Sequence, residues 1–191
     1  MNAPAPAINE DVEASILDAV DKFLERDVRQ HVMRLEHADE YPHEIVEGMK
    51  ELGLFGAIIP EEYGGLGLPA STYAKIVERV SAVWMSLSGI FNSHLIMSAA
   101  VVRFGTDEQK RTWLPKFATG EIRGGLALTE PNCGTDLQAI RTVAKRDGDE
   151  YVINGNKTWI SNGIFGTCFA LLVKTDPEAK PRHKGPSLFI A

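Results

Sequence analysis

Cysteine is scarce in this sequence: Cys133 and Cys168 are the only two among 191 residues. That is too few for a disulfide scaffold, and neither sits in the CxxC or Cys/His spacing of a zinc site, so no metal is expected. A reducing, cytoplasmic setting is the expectation. Positive charge is also in deficit, with 20 Lys and Arg against 26 Asp and Glu, a net charge of -6 and an isoelectric point near 5.4. That sign is wrong for gripping phosphate backbones, and nucleic acid is excluded as a main partner. The opening MNAPAPAINEDVEAS lacks both the basic and the apolar region of a secretion signal. Internal repeats and low-complexity tracts are missing as well. One stretch, Val80 to Val102, has no Asp, Glu, Lys or Arg, and at ~20 residues such a run is long enough for a bilayer. It carries Ser81, Ser86, Ser88, Asn92, Ser93, His94 and Ser98, polar groups that lipid would leave without partners, so it reads as a buried hairpin of soluble helices and not a membrane span.

Hydrophobic residues make up 44% of the chain, charged residues 24%, and the mean hydropathy is -0.11. This is the balance of a folded chain, long enough for one large domain or two small ones. From Ile8 to Leu35 apolar side chains recur at Ile8, Val12, Ile16, Val20, Phe23 and Leu24, the period of an amphipathic helix, with Asn9 as its N-cap. A second helix is predicted from His43 to Leu52, stopped by Gly53, followed by the glycine-rich loop PEEYGGLG at Pro60 to Gly67. Ser71 is the predicted cap of a third helix through Ile76, Val80 and Val83. A fourth runs from Gly89 to Phe104, and Thr106 with Gln109 has the spacing of a capping box opening a fifth, which ends near Phe117. Residues 1–121 therefore read as all helix.

Residues 122–191 have a different texture. GGLALTE, TVAKR, EYVING, KTWISNG, CFALLVK and PSLFIA are short segments rich in β-branched and aromatic residues, and each reads as a strand. Asp147-Gly148, Asn154-Gly155 and Asn162-Gly163 mark hairpins or tight turns. The fold class expected is α+β: a helical domain followed by a small antiparallel β-sheet or partial barrel. The last residues, Leu188 to Ala191, fall inside an apolar strand, and an edge of that kind is expected to be covered by more chain or by another subunit.

Two segments have the residue types of a ligand cradle. In LALTEPNCGTD, Leu126 to Asp136, a strand breaks at Pro131, Gly134 allows close approach, and the Thr129 and Thr135 hydroxyls suit ring heteroatoms or phosphate oxygens. An ordinary loop, its Thr and Asp satisfying turn amides, is the competing reading. In KTWISNG, Lys157 to Gly163, strand alternation would place Trp159 and Ser161 on one face and Ile160 on the other, offering an indole and a hydroxyl to a planar heteroaromatic ligand. The alternative there is a tryptophan packed in a sheet core.

Taken in order, these segments resemble the acyl-CoA dehydrogenase family: LALTEPNCGTD is similar to its first flavin-contacting signature and DEYVINGNKTWISNG to its second. PEEYGGLG, RFGTDEQKRTWLPKFATGE and KGPSLFI resemble family segments in the same order, so the likeness covers nearly the whole chain. The resemblance implies a helical N-terminal domain, a β-barrel middle domain and a C-terminal helical domain, with FAD bound where they meet; only the first two would lie within these residues. It places Leu126, Leu128 and Thr129 against the flavin's pyrimidine side. Gly134 and Thr135 fall at the cofactor pyrophosphate, Thr135 also meeting substrate, while Trp159 and Ile160 lie beside the isoalloxazine and Ser161 offers its hydroxyl near N5. Thr135 and Ser161 stand where the family often has Ser and Thr, keeping both hydroxyls, and Cys133 stands where small residues are frequent.

The reaction implied is α,β-dehydrogenation of an acyl-CoA thioester, with an electron-transfer flavoprotein or similar acceptor taking the electrons and a homo-oligomer as the full-length state. The family's base is a glutamate of the C-terminal domain, so no catalytic residue is assigned here, and Glu130, preceding Pro131, is expected to hold a structural hydrogen bond. A non-catalytic flavin or acyl-CoA-binding module completed by a second chain is an alternative, as is a related flavoprotein oxidase or monooxygenase. His94 has two readings, lining an acyl pocket or bonding within the core. Arg182 to Lys184 likewise meets coenzyme A phosphates or is a solvated loop. Met85 and Met97 read as core filler.

Overall fold

A computed structural model describes residues 8–191. The chain forms two compact units, one up to Glu121 and one from Ile122 to Ala191.

The first unit is helical. Helix α1, Glu10–Phe23, opens as the sequence implies: the Asn9 side chain accepts from the Asp11 amide at 2.8 Å, and Glu10, Asp11 and Glu13 put negative charge at the positive end of the helix dipole. The single helix predicted as far as Leu35 is broken. Leu24–Val28 forms a π-turn, and a short helix α2, Val32–Ala38, comes after it. One extra residue per turn rotates the succeeding face, and it carries Leu24, Val28 and Leu35 all into the core. Helix α3 spans His43–Glu51, with Gly53 left-handed behind it. In PEEYGGLG the chain folds so tightly that a β-carbon on Gly65 would sit 2.1 Å from the Ile59 carbonyl oxygen, which only glycine avoids.

Helix α4, Ala70–Val83, starts behind Pro69 and not behind Ser71. The fixed φ of proline directs the chain into the first turn, leaving Ser71 inside it. Helix α5, Met85–Phe104, begins four residues before the predicted Gly89. The break is Trp84, in extended conformation, whose indole N–H donates to the Glu36 carboxylate; Gly89 is simply tolerated inside the helix. By length and composition α5 would suffice to cross a membrane, yet here Leu87, Phe91, Leu95 and Val101 are buried against the other helices. Helix α6, Asp107–Ala118, has the predicted capping box: the Thr106 hydroxyl accepts from the Gln109 amide and the Gln109 side chain accepts from the Thr106 amide.

The second unit is an open five-stranded sheet: β1, Gly124–Ala127; β2, Val143–Asp147; β3, Glu150–Asn154; β4, Cys168–Lys174; β5, Pro186–Ile190. Its order is β1-β4-β2-β3, with β5 also on β4. The expected antiparallel sheet or barrel is corrected to a mixed, unclosed one: β2–β3 and β4–β5 are antiparallel, but β1 and β2 each pair with β4 in parallel. Parallel partners need a long connection, and the forty-residue excursion between β1 and β4 provides it. Asp147-Gly148 does turn the β2–β3 hairpin, with Gly148 at φ 60°. Asn154-Gly155 turns no hairpin, and KTWISNG is not a strand.

Candidate functional site

Strand β1 stops at Ala127, and Leu128 and Thr129 beyond it are held by hydrogen bonds outside the ladder. The Lys157 ammonium donates to the Leu128 carbonyl at 3.0 Å, the Thr158 amide to the Thr129 carbonyl at 3.0 Å, and the Asn162 side-chain amide to the Gly124 carbonyl at 2.8 Å. From the Thr158–Thr129 bond to the Asn162–Gly124 bond the later segment advances while the earlier one recedes, so residues 158–162 lie back along β1. The segment does so as turns: Trp159 and Asn162 take left-handed φ values of 56° and 64°. Strand alternation therefore does not govern where Trp159 and Ser161 point. A lysine and an asparagine side chain occupy carbonyls that a neighbouring strand's amides would otherwise take.

The outcome still brings Leu126, Leu128 and Thr129 alongside Trp159, Ile160 and Ser161 through those bonds. Leu126, Leu128, Thr129 and Ile160 are partly buried and Ser161 is exposed. Trp159 is 88% exposed, so the reading of it as a packed core tryptophan is excluded. Its indole face is open to a planar or apolar ligand.

After Thr129 the chain makes a tight turn. Glu130 and Cys133 exchange backbone hydrogen bonds at 2.9 and 3.1 Å across Pro131 and Asn132. The Asn132 side chain donates to the Ala139 carbonyl, and the Asp136 carboxylate accepts from the Gln138 amide. Gly134 and Thr135 stand exposed on this braced loop, and a β-carbon on Gly134 would meet nothing within 4 Å. The fold thus leaves open space at Gly134.

Behind this surface lies a buried polar knot. Glu130, 4% exposed, accepts from the Arg141 amide at 2.5 Å, the Thr142 amide at 3.0 Å and the Lys157 ammonium at 2.9 Å. Burial alone would raise its carboxyl, but the donors on Thr142, Arg141 and Lys157 prevail and hold it at about 2. The Thr142 hydroxyl sits close enough to act on that carboxylate without closing a hydrogen bond of good geometry. Gly155 packs over it, where a β-carbon would lie 2.2 Å from the hydroxyl oxygen. Glu130 is a structural acceptor, as its position before Pro131 suggests. The sequence marks Asn162 only as a turn residue, gives Lys157 no signal beyond its place inside KTWISNG, and gives Thr142 none.

The other candidates take no part in the hydrogen bonds of this knot. In the helical unit His94 is fully buried, its Nε2 donating to the Phe117 carbonyl at 3.0 Å between the Phe55 and Phe117 rings; it is the bonded core histidine of its two readings. Met97 is core, whereas Met85 is 74% exposed and fills nothing. Arg182–Lys184 forms an exposed single turn. Cys168 is buried in β4, which raises its thiol's pKa, and Cys133 is partly exposed; both are free thiols. Among the described residues no three His, Cys, Asp or Glu converge as a metal site. A hollow of about 480 Å³ in the helical unit, lined by Phe23, Asp27, His31, Arg34 and Tyr41 among others, touches none of these candidate residues.

Residues 10–121 match the acyl-CoA dehydrogenase N-terminal domain and residues 125–191 its middle domain. The chain belongs to the acyl-CoA dehydrogenase family. It is 39% identical over 188 residues to (2S)-methylsuccinyl-CoA dehydrogenase of Cereibacter sphaeroides, covering 98% of this chain and 34% of the relative. The crystal structure of an acyl-CoA dehydrogenase from Geobacillus kaustophilus superposes with a TM-score of 0.89 at 38% identity, covering 98% of this chain and 49% of that one. An acyl-CoA dehydrogenase complexed with FAD from Bacillus anthracis superposes with a TM-score of 0.85 at 34% identity, over 98% of this chain and 32% of that one. The chain thus spans 32 to 49% of the length of these family members.

Proposed function

We propose that these residues are the N-terminal and middle part of an FAD-dependent acyl-CoA dehydrogenase, and that the end of β1 with residues 157–162 forms its flavin-contacting surface. The observation that carries this is the 88% exposed Trp159, fixed by neighbouring hydrogen bonds beside a strand end bearing the Thr129 hydroxyl. An indole, two hydroxyls and an open glycine fit a planar heteroaromatic ring with a phosphate tail. Trp159 and Ile160 would cover the ring, Leu126, Leu128 and Thr129 would meet its pyrimidine side, and Ser161 would offer its hydroxyl near N5. Gly134 and Thr135 would meet the pyrophosphate, Thr135 also touching substrate.

FAD, when bound, supplies the acceptor for the hydride leaving the thioester's β-carbon. The chain's own share is to bind and orient: the indole excludes water from one face, and the hydroxyls fix the ring's register. Glu130 takes no proton from substrate, because it is buried, ion-paired and held ionised with its lone pairs engaged. We assign the base to residues outside these 191, as the family resemblance implies. An electron-transfer flavoprotein as acceptor, a homo-oligomeric state and a cytoplasmic location belong to the same reading; the two free thiols favour the last.

The test is to load the chain with FAD and add short, medium and long acyl-CoA thioesters without oxygen. The expected result is a perturbed flavin spectrum without bleaching. Bleaching would overturn the assignment of the base outside these residues, and no response to any thioester would overturn the dehydrogenase reading.

A further inference from the structure

We infer that Lys157 is a positioning residue: with Glu130 it forms a buried clasp that sets the register of residues 157–162 against the end of β1, and so places Trp159 and Ser161 beside Thr129. This rests on the reading of that surface as the flavin contact.

The geometry is specific. The Lys157 side chain is 10% exposed and that of Glu130 2%, so this ammonium is largely out of water and needs partners. It finds two on one strand end, the Leu128 carbonyl at 3.0 Å and the Glu130 carboxylate at 2.9 Å. These acceptors flank Thr129, whose own carbonyl takes the Thr158 amide at 3.0 Å. One cation therefore ties both sides of Thr129 to the stretch of chain that leads into Trp159. The carboxylate is itself anchored to the Arg141 and Thr142 amides, so the clasp fastens three stretches of chain at one point.

Such a fastening is needed because the segment is not a strand and cannot rely on a ladder for its register. Trp159 also sits at φ 56°, a backbone state that surrounding contacts must impose on a residue with a large side chain. Lys157 stands two residues before Trp159 and Asn162 three after it, each donating to a β1-side carbonyl. The left-handed tryptophan is thus pinned on both sides. Neither Lys157 nor Glu130 lies among the residues proposed to touch the cofactor, so their effect is exerted through the backbone.

The experiment compares the 191-residue chain with Lys157→Met, Lys157→Arg and Glu130→Gln, reading hydrogen exchange at the Thr158 amide, exchange at the β2–β3 and β4–β5 amides, and FAD affinity. Lys157→Met is expected to lower Thr158 protection by about tenfold or more while the sheet amides keep theirs, and to weaken FAD binding by a similar factor, with Lys157→Arg restoring part of both. Unchanged Thr158 protection in Lys157→Met would overturn the inference, as would an equal loss at every amide, which would mark a general structural role. If Lys157→Met does not fold, Glu130→Gln, which keeps the shape and loses the charge, is read by the same two outcomes. Failure of the unmodified chain to bind FAD would sink the reading of the surface, while Thr158 exchange still decides the clasp.

Discussion

At the scale of single residues, exposure and partners separate the side chains that hold the fold from those that are free to work on something else. Trp159 is the clearest case of the second kind. Because it is 88% exposed, Trp159→Ala is expected to change the unfolding free energy by no more than about 0.5 kcal/mol, while removing a stacking surface worth about 1 kcal/mol or more to a planar ligand. Thermal unfolding beside a flavin titration checks both halves. Glu130 is the opposite case. Its carboxyl is held at about 2 in the fold, below the ordinary value of 4.5. A depressed carboxylate contributes stability that is fully present above the unfolded pKa and is lost as pH falls through the folded one. The unfolding free energy is therefore expected to drop by about 2 to 3 kcal/mol between roughly pH 5 and pH 2, and Glu130→Gln should flatten that part of the curve. A series of denaturant melts across that range, on both proteins, would show it; parallel curves would contradict it.

At the scale of elements, the sequence spoke clearly wherever a local rule decides the outcome. The capping box at Thr106 and Gln109, the Asn9 cap and the Gly148 hairpin turn are all where the spacing puts them, because each is settled by atoms a few residues apart. Thr106→Ala is expected to cost about 1 kcal/mol, because it removes the hydroxyl that accepts from the Gln109 amide while leaving the Thr106 amide bond to the Gln109 side chain, a loss that circular dichroism melts resolve. Where tertiary partners decide, the sequence was a poorer guide. The π-turn at Leu24–Val28 results from burying Leu24, Val28 and Leu35 together, which no periodicity announces. KTWISNG has the composition of a strand yet turns back along β1 on the Lys157 and Asn162 side chains, a pairing fixed by contacts some thirty to forty residues away in the chain. Gly155 belongs to the same class: it looks like a hairpin glycine and serves a close approach to Thr142. Gly155→Ala should therefore destabilise the β unit by about 2 kcal/mol through displacement of Thr142 from Glu130, visible as a lowered midpoint and faster exchange at the Thr142 amide.

At the scale of the whole chain, composition and hydrophobic texture were enough to separate a helical stretch from a β-rich one. Sheet topology was beyond their reach. Parallel pairing of β1 and β2 with β4 depends on how long loops cross the sheet, and the antiparallel expectation came from hairpin signals that describe only neighbours. That two separated segments offer hydroxyls and an indole was legible in the sequence; the geometry that joins them was not. Leu126, Leu128 and Thr129 do lie along residues 157–162, but through turns and a buried clasp instead of strand alternation.

The central claim is that this surface holds a flavin, and a titration of FAD into the 191-residue chain tests it most directly, monitored by tryptophan emission and flavin fluorescence, beside the same titration of Trp159→Ala. Saturable binding with quenched Trp159 emission is expected, weakened by about tenfold when the indole is removed, the factor that corresponds to some 1.4 kcal/mol. Binding that is equally tight without Trp159, or no saturable binding at all, would contradict it.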